Sequence, residues 1–123
     1  QQARSRDGLV EDSLRLIHRA SGAISIKYLL ERLSISERQF EKRFSQAVGL
    51  SPHFYSRVKR FNRALMLMKS GQFKTLTAVA HTLNFHDQSH FIRDFKAFSG
   101  ITPKGLAPRL DDFDHDHNVF AYF

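Results

Sequence analysis

The chain has 123 residues, a formal net charge of +7, 41% hydrophobic residues including twelve Phe, and no cysteine. That length and apolar content suit one compact domain or two very small ones. The lack of thiols excludes disulfides and thiolate metal sites, no apolar run approaches the ~20 residues of a membrane-spanning helix, and no secretory signal is expected.

The charge is uneven. Residues 109–123 set Arg109 against Asp111, Asp112, Asp114 and Asp116, a net of −3, so residues 1–108 carry +10. A basic body of this size favours a polyanionic partner over a neutral one. Residues 1–7 are polar and without apolar periodicity, which predicts a linker, with a larger protein expected before it.

In chain order, the spacing of apolar residues predicts helices throughout and no strand. A first helix covers roughly Asp7 to Ala20, with Leu14, Leu16 and Ile17 on one side and Gly22 as its stop. Ser25 caps a short second helix through Leu33, and residues 34–36 turn. Ser36 opens a third helix, with Gln39 as capping-box partner, and Gly49 ends it where a positive φ is wanted. Ser51-Pro52 starts a long fourth helix, to about Lys69, with Tyr55, Val58, Phe61, Leu65 and Met68 at helical spacing. Thr75 begins a fifth helix to Leu83, Asn84-Phe85-His86 turns, Asp87 caps a sixth to about Phe98, and Thr102-Pro103 starts a short seventh. The tail from Asp111 is expected to be poorly ordered, with Phe120, Tyr122 and Phe123 able to dock.

A pattern repeats within these helices. Residues 40–52 read F-E-K-R-F-S-Q-A-V-G-L-S-P, and residues 91–103 read F-I-R-D-F-K-A-F-S-G-I-T-P. Phe40, Phe44, Gly49 and Pro52 recur as Phe91, Phe95, Gly100 and Pro103 at an offset of 51, and residues 29–35 align with 79–85 at an offset of 50. One extra residue therefore lies in the second turn. Each copy is a short helix, a tight turn and a longer helix, which is a helix-turn-helix.

A wheel at ~100° per residue turns Phe40, Phe44 and Ala47 inward and Arg38 and Lys42 outward, with Ser45 and Gln46 flanking. In the sixth helix Phe91, Phe95 and Phe98 face inward, Ser89 and Arg93 outward, and Lys96 flanks, while Gln88 and His90 lie in the exposed first turn. Arg can bridge the two major-groove acceptors of guanine, and Gln can pair with adenine. Arg38, Lys42, Gln46, Gln88, Ser89, His90 and Arg93 are the candidates for base edges, and Gln39, Ser45, Arg57, Arg60, Lys96 and Lys104 for phosphates. Lys59 and Arg63 share the long helix with that second group. Any surface helix turns such residues outward; two copies after matched turns give the pattern its meaning. The fourth helix, at ~18 residues, spans ~27 Å, which together with flanking packing suits two heads reading major grooves ~34 Å apart.

The stretch Leu83-Asn84-Phe85-His86-Asp87-Gln88-Ser89-His90-Phe91-Ile92-Arg93-Asp94-Phe95-Lys96, followed by Gly100-Ile101-Thr102-Pro103, resembles the signature G-F-x-D-x-S-x-F-x-R-x-F-K…G-x-T-P of AraC/XylS-family bacterial transcription regulators. The resemblance covers roughly residues 8–108. It implies an all-α, homeodomain-like fold of seven helices in two helix-turn-helix subdomains (about 25–49 and 75–99) joined by a linker helix (about 52–69). It further implies sequence-specific binding of double-stranded DNA from the third and sixth helices, in the bacterial cytoplasm at the nucleoid. RNA polymerase and an N-terminal sensory or dimerisation domain outside this chain are the further partners it brings in, with no membrane. Asn84 stands where the family usually has Gly, and Asn tolerates the positive φ of that turn. Leu30 replaces a usual Ala, and Glu41 would repel phosphate beside the reading face.

No nucleophile motif, phosphate loop or metal-binding helix is present, so no enzyme and no cofactor are expected. The Asp/His tail, residues 111–117, has donors for a divalent ion but reads as an acidic solvated tail, and His53, His81 and His86 as structural or surface residues. A protein-interaction module and a non-specific architectural DNA binder are the competing functions.

Overall fold

The computed structural model describes residues 7–71 and 75–109. Its elements are α1 (Gly8–Arg19), α2 (Ile26–Leu33), α3 (Glu37–Val48), α4 (Pro52–Ser70), α5 (Leu76–Thr82), α6 (Gln88–Ser99), α7 (Pro103–Leu106) and a closing 3₁₀ turn, Ala107–Arg109. No strand occurs among the described residues. The expected linker at residues 1–6 and the tail from Asp111, with its docking aromatics and Asp/His donors, lie outside the described residues.

Side-chain caps start these helices, as the sequence predicts. Ser25 Oγ accepts from the Tyr28 amide (3.0 Å), Ser36 Oγ from Gln39 (3.2 Å), Ser51 Oγ from Phe54 (3.2 Å) and Thr75 Oγ1 from Ala78 (3.1 Å). Asp87 accepts from His90 (2.7 Å) and Thr102 from Gly105 (3.1 Å). Each satisfies a donor that the first helical turn leaves without an intrahelical partner. Asp7, where the first helix is expected to begin, is the N-cap of α1, accepting from Leu9 (3.1 Å) and Val10 (3.3 Å).

The internal repeat is a structural repeat. Ser34 (φ 53°) and Asn84 (φ 64°) occupy the same left-handed position, 50 residues apart. In each copy the next amide reaches back to the helix: Ile35 to the Leu30 carbonyl (3.2 Å) and Phe85 to that of Ala80 (3.0 Å). The N-caps that follow, Ser36 and Asp87, are 51 apart, so His86 is the added residue of the second turn. Gly49 (φ 91°) and Gly100 (φ 79°) then close α3 and α6 identically, donating to the Ser45 and Lys96 carbonyls at 2.8 Å. The positive φ at these four positions explains why Gly or a small polar residue stands at each.

The chain forms two compact units, dividing between Arg57 and Val58 inside α4. In the first, Val10, Ile17, Leu29, Phe40, Phe44 and Tyr55 are buried. Phe44 stacks edge-on with both Phe40 and Tyr55, at centroid distances of 5.6 Å. On α1 the buried stripe is Val10, Ser13 and Ile17, whereas Leu14 and Leu16 are half-buried. Ser13 is tolerated inside because its hydroxyl donates to the Val10 carbonyl at 2.7 Å. The second unit gathers Phe61, Ala64, Leu65, Leu67, Val79, Ala80, Leu83, Phe85, Phe91, Phe95 and Leu106 into one core. Phe95 lies 4.9 Å from Phe61 and 5.8 Å from Phe91 between ring centroids.

Candidate nucleic-acid interface

The repeated Phe pairs fix which way α3 and α6 face. Phe40 and Phe44 are fully buried, and Phe91 and Phe95 nearly so, leaving the other face of each helix toward solvent. On α3 the exposed residues include Arg38, Gln39, Lys42, Ser45 and Gln46. On α6 they include Gln88, Ser89, Arg93 and Lys96. Lys42 and Arg93 occupy the same position of the repeat, 51 residues apart, so each unit presents a basic side chain from the second turn of its longer helix. Lys104, on α7 of the second unit, is also exposed. Glu41 is half-buried at the flank of the α3 face.

Two of the candidate residues are placed differently from expectation. His90 is half-buried, and its ring meets Phe85 edge-on at 5.1 Å between centroids. Its imidazole is thus part of the wall behind the first turn of α6. Arg60, expected at phosphate, has only 16% of its side chain exposed. Its guanidinium sits 3.9 Å from the Phe85 ring centroid and 3.9 Å from a carboxylate oxygen of Asp94, itself 13% exposed. Stacking on an aromatic face and pairing with an acid both satisfy a cation away from water. Arg60 therefore ties α4 to α6. Arg57 is half-buried, and burial lowers the pKa of Lys59 from its ordinary value; Arg63 is exposed.

The first unit contains a corresponding tie. The Arg43 guanidinium donates to both carboxylate oxygens of Asp7, at 2.9 and 2.7 Å, joining α3 to the start of α1. This bond and the two capping amides hold the Asp7 carboxyl below the usual range, against a smaller opposing effect of burial. Asp87 is lowered too, chiefly by the hydrogen bond from the His90 amide, against the opposing effect of burial.

Thr77, not anticipated from the sequence, lies in the first turn of α5 and donates its hydroxyl to Gln88 Oε1 at 2.5 Å. Among the described residues, Glu37, Glu41 and His53 bring one potential ligand atom each within 4.8 Å of one another. No described helix is long and apolar enough to cross a membrane.

Comparison with known proteins also finds a helix-turn-helix domain. A family model described as a helix-turn-helix domain matches residues 29–108. The chain belongs to this family, in its AraC/XylS-type form. Among curated relatives, it is 32% identical over 80 residues to the probable transcriptional regulator LumQ of Photobacterium leiognathi, covering 65% of this chain and 32% of LumQ. It is 30% identical over 92 residues to the uncharacterised HTH-type transcriptional regulator YidL of Escherichia coli K12, covering 75% of this chain and 31% of YidL. The chain thus spans about a third of the length of the curated relatives it matches. Among solved structures, the DNA-binding domain of the global transcriptional factor AdpA, in complex with a target DNA, superposes with a TM-score of 0.69 at 20% identity, over 91% of this chain and 97% of that one. The xylose-binding transcription activator XylR gives a TM-score of 0.66 at 20% identity, over 89% of this chain and 28% of that one. The fold of the AraC/XylS-type domain is therefore shared, two helix-turn-helix units with a long helix between them.

Proposed function

We propose that residues 8–108 bind double-stranded DNA sequence-specifically, and that the parent protein regulates bacterial transcription from the cytoplasm, at the nucleoid. One observation carries this reading: the same three-part unit occurs twice, each time turning a basic side chain, Lys42 or Arg93, outward from a helix whose other face is packed on Phe. A helix held in this way can enter a major groove without exposing its core. Arg38, Lys42 and Gln46 approach base edges from α3, and Gln88, Ser89 and Arg93 from α6. Gln39, Ser45, Arg57, Lys96 and Lys104 lie along the phosphates. Arg60 leaves that set because it is spent on Phe85 and Asp94. His90 is half-buried and packed on Phe85, which leaves less of it for a base edge. The two helices read successive major-groove segments, and because their outward residues differ the two segments are unlike.

In this reading the protein is a regulator and not an enzyme. RNA polymerase and an N-terminal sensory or dimerisation domain are its further partners. Selection from a random duplex pool tests the proposal. Recovery of one motif with two conserved blocks about one helical turn apart, with affinity falling steeply with salt, is the expected result. Binding of every sequence alike would make the chain an architectural binder, and no duplex binding at low salt would make it a protein-interaction module.

A further inference from the structure

The bond between Thr77 and Gln88 does no capping work. Thr75 caps α5 and Asp87 caps α6, so neither helix needs it to begin. Both side chains are exposed, and a bond between two solvent-facing groups adds little to stability. What it does is orient. Gln88 is the first residue of α6, at the end that would enter a groove first. Its Oε1 accepts the Thr77 hydroxyl at 2.5 Å, so the acceptor arm of the carboxamide is turned onto α5. The other arm, Nε2, has two N–H groups and no acceptor.

We infer that Thr77 is a positioning residue that sets which base Gln88 reads. The inference rests on the reading of α6 as a DNA-contacting helix. In the major groove guanine presents two acceptors, N7 and O6, whereas adenine presents one acceptor, N7, and the N6 donor. The paired Gln–adenine contact needs Oε1 turned outward to accept from N6. Oε1 keeps a second lone pair, but with that oxygen turned onto α5 the arm left to face a base is Nε2, which only donates, and guanine is the better partner. Release of that arm lets the side chain turn and recover the adenine contact. The bond also fixes a flexible side chain before binding, which lowers the ordering cost that binding would otherwise incur.

The test is duplex selection run in parallel on the 123-residue chain and on T77V, T77S, Q88A and the T77V/Q88A double variant, each checked for an unchanged thermal midpoint. The wild-type chain is expected to prefer guanine about tenfold at one base pair, a ratio typical of a good side-chain contact. T77V, which keeps the shape of Thr without the hydroxyl, should move that preference to adenine and bind the original duplex about two- to tenfold more weakly. T77S should restore guanine. T77V should change nothing further on the Q88A background, because Thr77 acts through Gln88. A T77V profile identical to wild type overturns the role of Thr77, and a Q88A profile identical to wild type overturns it as well. A wild-type chain that selects no sequence overturns the DNA reading on which both stand.

Discussion

Arg60 decides between a scaffold and a contact role for a basic residue, and its removal has a calculable consequence. In Arg60→Ala the chain loses a guanidinium lying 3.9 Å from the Phe85 centroid and 3.9 Å from the Asp94 carboxylate. The stacking contributes about 1–2 kcal/mol at a site this dry. Breaking a fully buried ion pair costs about 3–5 kcal/mol, and an exposed one at most about 1 kcal/mol. With 16% and 13% of the two side chains still exposed and the pair at the outer limit of contact, about 1–2 kcal/mol is appropriate here. The sum of about 2–4 kcal/mol lowers the thermal midpoint by roughly 8–16 °C for a chain of this size. Circular dichroism melts measure it. Arg60→Lys should fall between the two, because an ammonium keeps the charge but not the planar stack. Duplex binding titrated against salt, well below the midpoint, supplies the second readout. A residue committed to Phe85 and Asp94 releases no counterion, so the salt slope should not change. An unchanged midpoint together with a slope shallower by about 0.9, the value for one lost phosphate contact, would refute the argument.

Three further outcomes follow from the same structure. Arg93→Ala should weaken binding to the selected duplex by about 1–3 kcal/mol and relax preference at one base position, read by competition against scrambled duplex. Asp7→Asn keeps a capping oxygen but removes the charge facing Arg43; because the folded-state pKa of Asp7 is lowered, its stabilisation is present above the ordinary carboxylate range near about pH 4 and is lost as pH falls through the lowered value. Acid-unfolding curves of wild type and variant should therefore differ by a constant amount above about pH 5 and converge at lower pH. Asn84→Val should cost about 1–2 kcal/mol in chemical denaturation, since a β-branched residue is strained at the φ of 64° there, whereas Asn84→Gly should cost nothing.

What was legible in the sequence is what short-range chemistry decides. A hydroxyl or carboxylate three residues ahead of an amide caps a helix wherever it occurs, so the starts at Ser25, Ser36, Thr75 and Asp87 followed from their own neighbours. The Phe pairs four apart fixed the inward faces of α3 and α6 for the same reason. Pairs between distant elements were not legible. Nothing near Arg60 in the sequence names Phe85 or Asp94, and a wheel records it only as a polar position on a long helix. Nothing near Arg43 names Asp7, 36 residues away. Thr77 and Gln88 are separated by 11 residues and a turn, and neither has a spacing that signals the other. The extra residue of the second turn was visible as a shift in offset, but only the matched left-handed residues and caps identify it as His86.

Those two unforeseen ion pairs explain how a doubled unit keeps its copies distinct. Arg43 and Asp94 hold the same position in the repeat, 51 residues apart. Each ties the longer helix of its unit to the helix that precedes the helix-turn-helix, α1 for Arg43 and α4 for Asp94. The position is conserved in purpose and inverted in sign. Exchanging the helices would set Asp94 against Asp7, or Arg43 against Arg60, and like charges at contact distance oppose the pairing. The inversion also redistributes the basic charge. Arg43 and Arg60 are each balanced by an Asp already counted in the net +7, so the two pairs leave that figure unchanged. What the pairs change is which cations are left to face a partner. The cations offered outward by the two longer helices are Arg38 and Lys42 on α3, and Arg93 and Lys96 on α6, each standing beside a Phe that fixes its direction.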